Sequence, residues 1–141
     1  MTEPAVARTP ADYETFRIAA GDTNRMALIA DPIRDGVNFT ALVEIFDPGG
    51  RTPPNTHAEA TELFYVLSGE GIAWCDGKSV RVKAGDSIFV RPGSEHVFEN
   101  TGTERLYCLT VMVPNEGFAE LIRTGLPEPL DGKDLAVLRG A

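Results

Sequence analysis

The chain has 141 residues, a formal net charge of −8 and 43% hydrophobic residues. This is enough for one folded domain with its own core, and it excludes a disordered polymer. The acidic balance, without any cluster of Lys or Arg, argues against nucleic acid and anionic membranes as partners, and no apolar run nears the roughly 20 residues that span a bilayer.

The first residues, MTEPAVARTPADYETF, lack the basic start and apolar stretch of a secretory signal, so a cytoplasmic location is expected. Short β-type runs follow in chain order: FRIAA (16–20), RMALIA (25–30), NFTALVEIF (38–46), ELFYVLS (62–68), GIAWC (71–75), SVRVK (79–83), SIFVR (87–91), HVFEN (96–100) and RLYCLTVMV (105–113). The turn signals DPGG, SGEG, DGK, AGD, RPGS and NTGT separate many of them, and Asp76-Gly77 marks a tight hairpin. Many short strands at near-regular spacing predict an all-β sandwich or closed barrel. After Pro114 the pattern changes. NEGFAELIRTG (115–125) has a polar start at Asn115, an acidic first turn, Phe118, Leu121 and Ile122 at helical spacing, and Gly125 at its end, which predicts a short C-terminal helix. One more helical turn is expected in the tail. Cys75 and Cys108 stand alone in strand-like runs and read as reduced, structural thiols.

The chain holds only two histidines, His57 and His96. Each lies beside a strand-like run, a glycine and a carboxylate. Along a strand, alternate side chains share a face, so Glu62, Phe64 and Val66 point one way, as do His96, Phe98 and Asn100. His57 and Glu62 have opposite parity, but the small polar stretch between them can turn and let both aim inward. Two imidazoles and one carboxylate are the ligand set of many non-haem iron sites. By spacing alone, two surface histidines and a solvated Glu62 fit as well.

The segments GRTPPNTHAEATELFYVLSG (50–69) and GDSIFVRPGSEHVFEN (85–100) resemble the two motifs of the cupin superfamily. In the first, His57, Glu62 and Gly69 are in register; in the second, Gly85, Gly93, His96 and Asn100 are. Two departures stand out: Asn55 replaces the first motif histidine, and Arg91 takes the proline position, with Pro92 one place later.

The resemblance implies a small single-domain cupin, a double-stranded β-helix or jelly-roll barrel. An N-terminal arm and strands (1–36), of the kind cupins exchange between subunits, would precede a barrel core (37–114) and a C-terminal helix and tail (115–141). A divalent transition metal (iron, manganese, nickel, zinc or copper) would be held by His57, Glu62 and His96, with Asn55 as a weaker fourth donor. Phe64 and Phe98 would line the barrel as pocket wall or core, and Tyr107 is a candidate to offer its hydroxyl to the cavity. Glu59 reads as a solvated loop charge, with a base at the mouth as the alternative, and Arg51 and Arg91 read as solvated, with a substrate carboxylate as the alternative partner. A homodimer is expected. Two functions stay open, beside a plain structural barrel whose main role is self-association. One is a metalloenzyme of oxygenase, isomerase or lyase type acting on a small organic molecule, the ligand set leaning to oxygenase. The other is a non-catalytic barrel that binds a small molecule with weak or lost metal.

Overall fold

The computed structural model describes residues 3–140. Its strands are β1 Glu14–Arg17, β2 Asn24–Ala30, β3 Thr40–Phe46, β4 Thr61–Ser68, β5 Glu70–Cys75, β6 Lys78–Lys83, β7 Ser87–Val90, β8 His96–Asn100, β9 Leu106–Val113 and β10 Leu126–Pro127. Three short helices accompany them, α1 Pro32–Asp35, α2 Phe118–Arg123 and α3 Gly132–Leu138. The first expected strand is shifted to β1, while α1 and β10 were not expected. The tail carries a full short helix, α3, capped by the Asp131 carboxylate on the Asp134 N–H.

Two antiparallel sheets form the jelly-roll. One has the order β10-β1-β2-β3-β9-β4-β7, the other β6-β5-β8. The chain from Gly50 to Asn55 runs along the free edge of β8. There the Asn100 N–H donates to the Gly50 carbonyl, the Thr52 N–H to the Phe98 carbonyl, and Asn55 and His96 exchange backbone hydrogen bonds. Both halves of the later site are thereby stitched together before any side chain is considered. Asp76 and Gly77 both take positive φ at the β5–β6 hairpin, as their sequence requires. Gly69 has φ +95°, and a Cβ there would lie 2.9 Å from the Arg105 carbonyl oxygen, so the close approach of two strands needs a glycine.

The period-2 pattern of β4 sorts its side chains cleanly. Glu62, Phe64 and Val66 are buried inside the barrel, while Leu63, Tyr65 and Leu67 face out. The barrel interior is packed by Phe46, Phe64, Val66, Phe98, Leu106 and Cys108. The three phenyl rings stack in a tilted series, with centroids 4.8 Å apart for Phe64–Phe98 and 5.7 Å for Phe46–Phe98. The outer face of β2, β3 and β9 is covered by the tail, where Ala27, Val43, Ile45 and Tyr107 pack with Leu130, Val137 and Leu138. Helix α2 covers a separate cluster at the barrel mouth, setting Ile122 on Met26, Leu28 and Leu42. Among the described residues, no helix is long and apolar enough to cross a membrane.

Candidate metal centre

His57 sits in the loop before β4, Glu62 near the start of β4, and His96 at the start of β8. The turn that the opposite parity of His57 and Glu62 demands is present, and the three side chains meet. His57 Nε2 lies 3.1 Å and His96 Nε2 2.9 Å from the same oxygen, Glu62 Oε1. One potential ligand atom from each of the three residues lies within 4.8 Å of the others. Glu62 and His96 are buried, and His57 is partly so.

The loop bearing His57 is held at both ends. The Gly93 N–H donates to the His57 carbonyl at 2.8 Å, tying the first motif to the turn of the second. The Glu116 carboxylate then accepts hydrogen bonds from the backbone N–H groups of Ala58, Glu59 and Ala60, at 3.0, 2.6 and 2.9 Å. Glu116 itself adopts φ +51°, a left-handed conformation unusual for a non-glycine residue. Those three amides hold its carboxyl below the usual carboxylate range.

Hydrogen-bond logic fixes the His96 tautomer. Its Nδ1 is 3.1 Å from the Ser94 carbonyl oxygen, which can only accept, so Nδ1 carries a proton. A neutral His96 therefore turns the lone pair of Nε2 toward the lone pairs of Glu62 Oε1. Two acceptors at 2.9 Å require a proton between them, on Nε2 or on the carboxyl, or a metal ion beside them. The electrostatics agree. Burial lowers the His96 pKa, but the Glu62 hydrogen bond, the Ser94 carbonyl and the charges of Glu62 and Glu44 outweigh it and raise the pKa overall. Burial raises Glu62, yet its bonds to both histidines bring the net shift downward.

The donor set fits a divalent first-row metal. Ligand atoms at right angles around an ion with bonds near 2.1 Å stand about 3.0 Å apart. The two nitrogen–oxygen distances, 3.1 and 2.9 Å, match that spacing. Asn55 lines the same cavity. Its Nδ2 donates to the Pro53 carbonyl at 3.1 Å, while its Oδ1 is buried without a hydrogen-bond partner. An orphaned amide oxygen beside three ligand groups suits a fourth donor.

The cavity has a volume of about 170 Å³. Its apolar wall includes Met26 and Phe64, and α2 closes the mouth with Phe118 and Leu121. Phe64 is thus both wall and core. Phe98 lies behind it in the barrel interior, away from the cavity lining. Tyr107 does not face the cavity. Its neighbour Cys108 points into the barrel, so strand alternation sends Tyr107 to the outer face, where its hydroxyl donates to Asp134 at 2.7 Å. Glu59 is exposed and reaches the site only through its backbone. Arg51 and Arg91 are exposed and do not line the cavity. Asn100 is a turn lock: its Nδ2 donates to the Phe46, Asp47 and Glu104 carbonyls, and its Oδ1 accepts from the Gly102 N–H.

The buried carboxyl of the cavity escapes sequence reasoning. Glu44 in β3 is 2% exposed and lines the cavity with the triad. Burial, helped by the charge of Glu62, raises its carboxyl pKa to about 8, against the opposing effects of Asn24 and His96. The alternation of β3 marked position 44 as one face of a strand, but both faces of β3 are buried.

A family model, Cupin domain, matches residues 42–112. An oxalate-binding protein of Thermotoga maritima is 39% identical over 106 residues, covering 74% of this chain and 87% of that protein. Quercetin 2,3-dioxygenase of Bacillus subtilis is 28% identical over 84% of this chain, which spans 34% of that enzyme. A crystal structure from Thermotoga maritima, described as a predicted oxalate decarboxylase, superposes with a TM-score of 0.68 at 28% identity, covering 78% of this chain and 99% of that one. Since the family model accounts for half of the residues, running from within β3 to within β9, the chain belongs to the cupin family.

Proposed function

We propose that the protein binds a divalent transition metal through His57, Glu62 and His96, with Asn55 as a fourth donor, and acts on a small organic molecule in the adjoining cavity. The observation that supports this reading most is the shared oxygen Glu62 Oε1, which two imidazole nitrogens approach at 3.1 and 2.9 Å. When bound, such a metal supplies Lewis acidity or a site for dioxygen. The chain's own residues do the rest. The Ser94 carbonyl orients the His96 ring, Glu116 holds the His57 loop, and Met26, Phe64, Phe118 and Leu121 keep water from the ligand. The two-imidazole, one-carboxylate set leans to oxygenase chemistry, and similarity to a quercetin dioxygenase supports that lean.

A second reading is capture without turnover. Asn55 in place of a histidine weakens the ligand set, and one relative is named for binding oxalate.

Metal analysis of chelator-free protein tests the main reading. About one divalent ion per chain is expected, lost in both His57→Ala and His96→Ala while the fold, followed by circular dichroism, persists. Wild type without metal would overturn it. Oxygen consumption with a panel of small enols and phenols then separates turnover from capture.

We also propose a homodimer in the cytoplasm. Cys75 and Cys108 are both free thiols, as a reducing compartment allows. The outer face of β4 and β7 exposes Leu63, Tyr65, Leu67 and Phe89 where the tail does not reach. Leu63 lies opposite Phe89 across the ladder, so these side chains form one continuous apolar patch suited to a second copy. Phe89→Lys is expected to shift the sedimentation coefficient to that of a monomer and leave metal content unchanged. An unshifted dimer would place the interface elsewhere.

A further inference from the structure

We propose that the cavity continues into an outer groove, and that Arg51 on the wall of this groove receives the carboxylate end of an elongated ligand whose other end reaches the metal. The inner end rests on the metal reading above; the outer end is a second subsite with its own ligand chemistry.

Continuity carries the first half. A groove of about 560 Å³ lies outside the cavity, and Ile18, Met26, Thr52, Pro53 and Leu121 line both spaces. Cavity and groove thus meet across one rim of mostly apolar side chains. Leu121 of α2 is half-exposed on that rim. A molecule longer than the cavity extends past these side chains into the groove and lays its apolar middle on them.

Charge carries the second half. Among the described residues, Arg51 is the one cationic side chain that lines the groove. It is exposed, and its guanidinium makes no hydrogen bond or ion pair with any described residue, whereas Arg8, Arg17, Arg25, Arg34, Arg105 and Arg123 are all engaged by carboxylates. Its backbone is nonetheless fixed. The Arg51 N–H donates to Thr23 Oγ1 at 3.0 Å, and Gly50 and Thr52 on either side are hydrogen-bonded to β8. The carboxylate on the groove wall, Asp22, is turned to its own loop, where it accepts from the Ala19 N–H at 2.8 Å. The inner cavity has the opposite character: Glu44 and Glu62 line it, and no described Lys or Arg does. Carboxyl groups inside and a forked, uncommitted donor outside orient a ligand that has a metal-binding group at one end and a carboxylate at the other.

The test titrates two matched hydroxamate series into cobalt(II)-loaded protein at pH 7 and low ionic strength, by calorimetry and the visible cobalt spectrum. One series is the monohydroxamates of succinic, adipic and suberic acid; the other has the same chain lengths ending in methyl. Every pair shares its metal-binding head, so only the far end differs. In the shortest pair, whose carboxylate stays among the acidic walls, the methyl end is expected to bind more tightly. In a longer pair the carboxylate is expected to bind about fivefold more tightly, the scale of a partly solvated ion pair. Arg51→Ala is expected to abolish that gain and Arg51→Glu to reverse it, while Arg91→Ala, which removes the same charge away from the groove, keeps it. A methyl preference at every length overturns the subsite. So does a gain that survives Arg51→Ala, or one lost equally in Arg91→Ala, which would make it an effect of net charge. Cobalt content is measured first. Protein that takes up no cobalt fails the metal reading alone; the subsite then stands only if the longer pair still shows an Arg51-dependent gain on the metal-free protein.

Discussion

Asp134→Ala is expected to lower the free energy of unfolding by about 3 kcal/mol, near the cost of breaking a buried ion pair from one side. Asp134 is 0% exposed. Its carboxylate accepts both guanidinium nitrogens of Arg25, at 2.7 and 3.0 Å, Arg105 Nη1 at 3.0 Å, and the Tyr107 hydroxyl at 2.7 Å. Burial works against the charged carboxylate, but the bonds from Arg25 and Tyr107 outweigh it and hold Asp134 below the usual carboxylate range. Arg25 is 3% exposed and keeps only the half-exposed Glu128, 3.5 Å from its Nε, so the alanine variant leaves its charge poorly compensated under α3. Urea unfolding at pH 7 measures the loss. Combining Asp134→Leu with Arg25→Met is expected to recover a substantial part of it, because the stranded charge is then gone. A loss near that of a surface substitution in Asp134→Ala would show that water reaches Arg25 and that the tail does not seal this face.

Glu44→Gln changes how stability depends on pH. In the metal-free protein, Glu44 titrates near 8 in the fold and near 4.5 in the unfolded chain. Between those values the folded state holds a proton that the unfolded state has released. Stability is therefore fully present below pH 4.5 and falls as pH rises toward 8, by about 1.4 kcal/mol per pH unit from this group. His96, raised above 6.5, acts with the same sign from that pH upward. Glu62 and Asp134, both lowered, act with the opposite sign but only on the acid side, where stability is lost as pH falls through their folded values. Glu44→Gln removes the largest part of the decline, so at pH 8 the variant is expected to be more stable than wild type by on the order of 4 kcal/mol. Guanidinium unfolding at several pH values reads this directly. Parallel curves for wild type and variant would mean that Glu44 is ionised in the fold at neutral pH.

Local pattern made much of the barrel legible. Nine strand-like runs were marked by alternation and turn residues, and the alternation of β4 set Glu62, Phe64 and Val66 inward as expected. The ligand triad became legible only when its spacing was set against a family pattern, because no local rule makes two loops converge. What stayed hidden depends on neighbours distant in sequence. Tyr107 and Cys108 lie in a strand apolar on both faces, so sequence could not tell barrel from tail; the position of α3 decides it. Glu44 read as an ordinary strand carboxylate, since its burial depends on α2 and β2 covering it. Glu116 gave no signal either, its role resting on a left-handed backbone and on amides 56, 57 and 58 residues away.

Glu116 has a mechanical consequence. It stands just ahead of α2, the helix that roofs the cavity, and grips the loop that carries His57. Swinging the roof aside to admit a guest must either drag that loop or release it. The cover over the cavity and the setting of His57 are thus linked through one carboxylate.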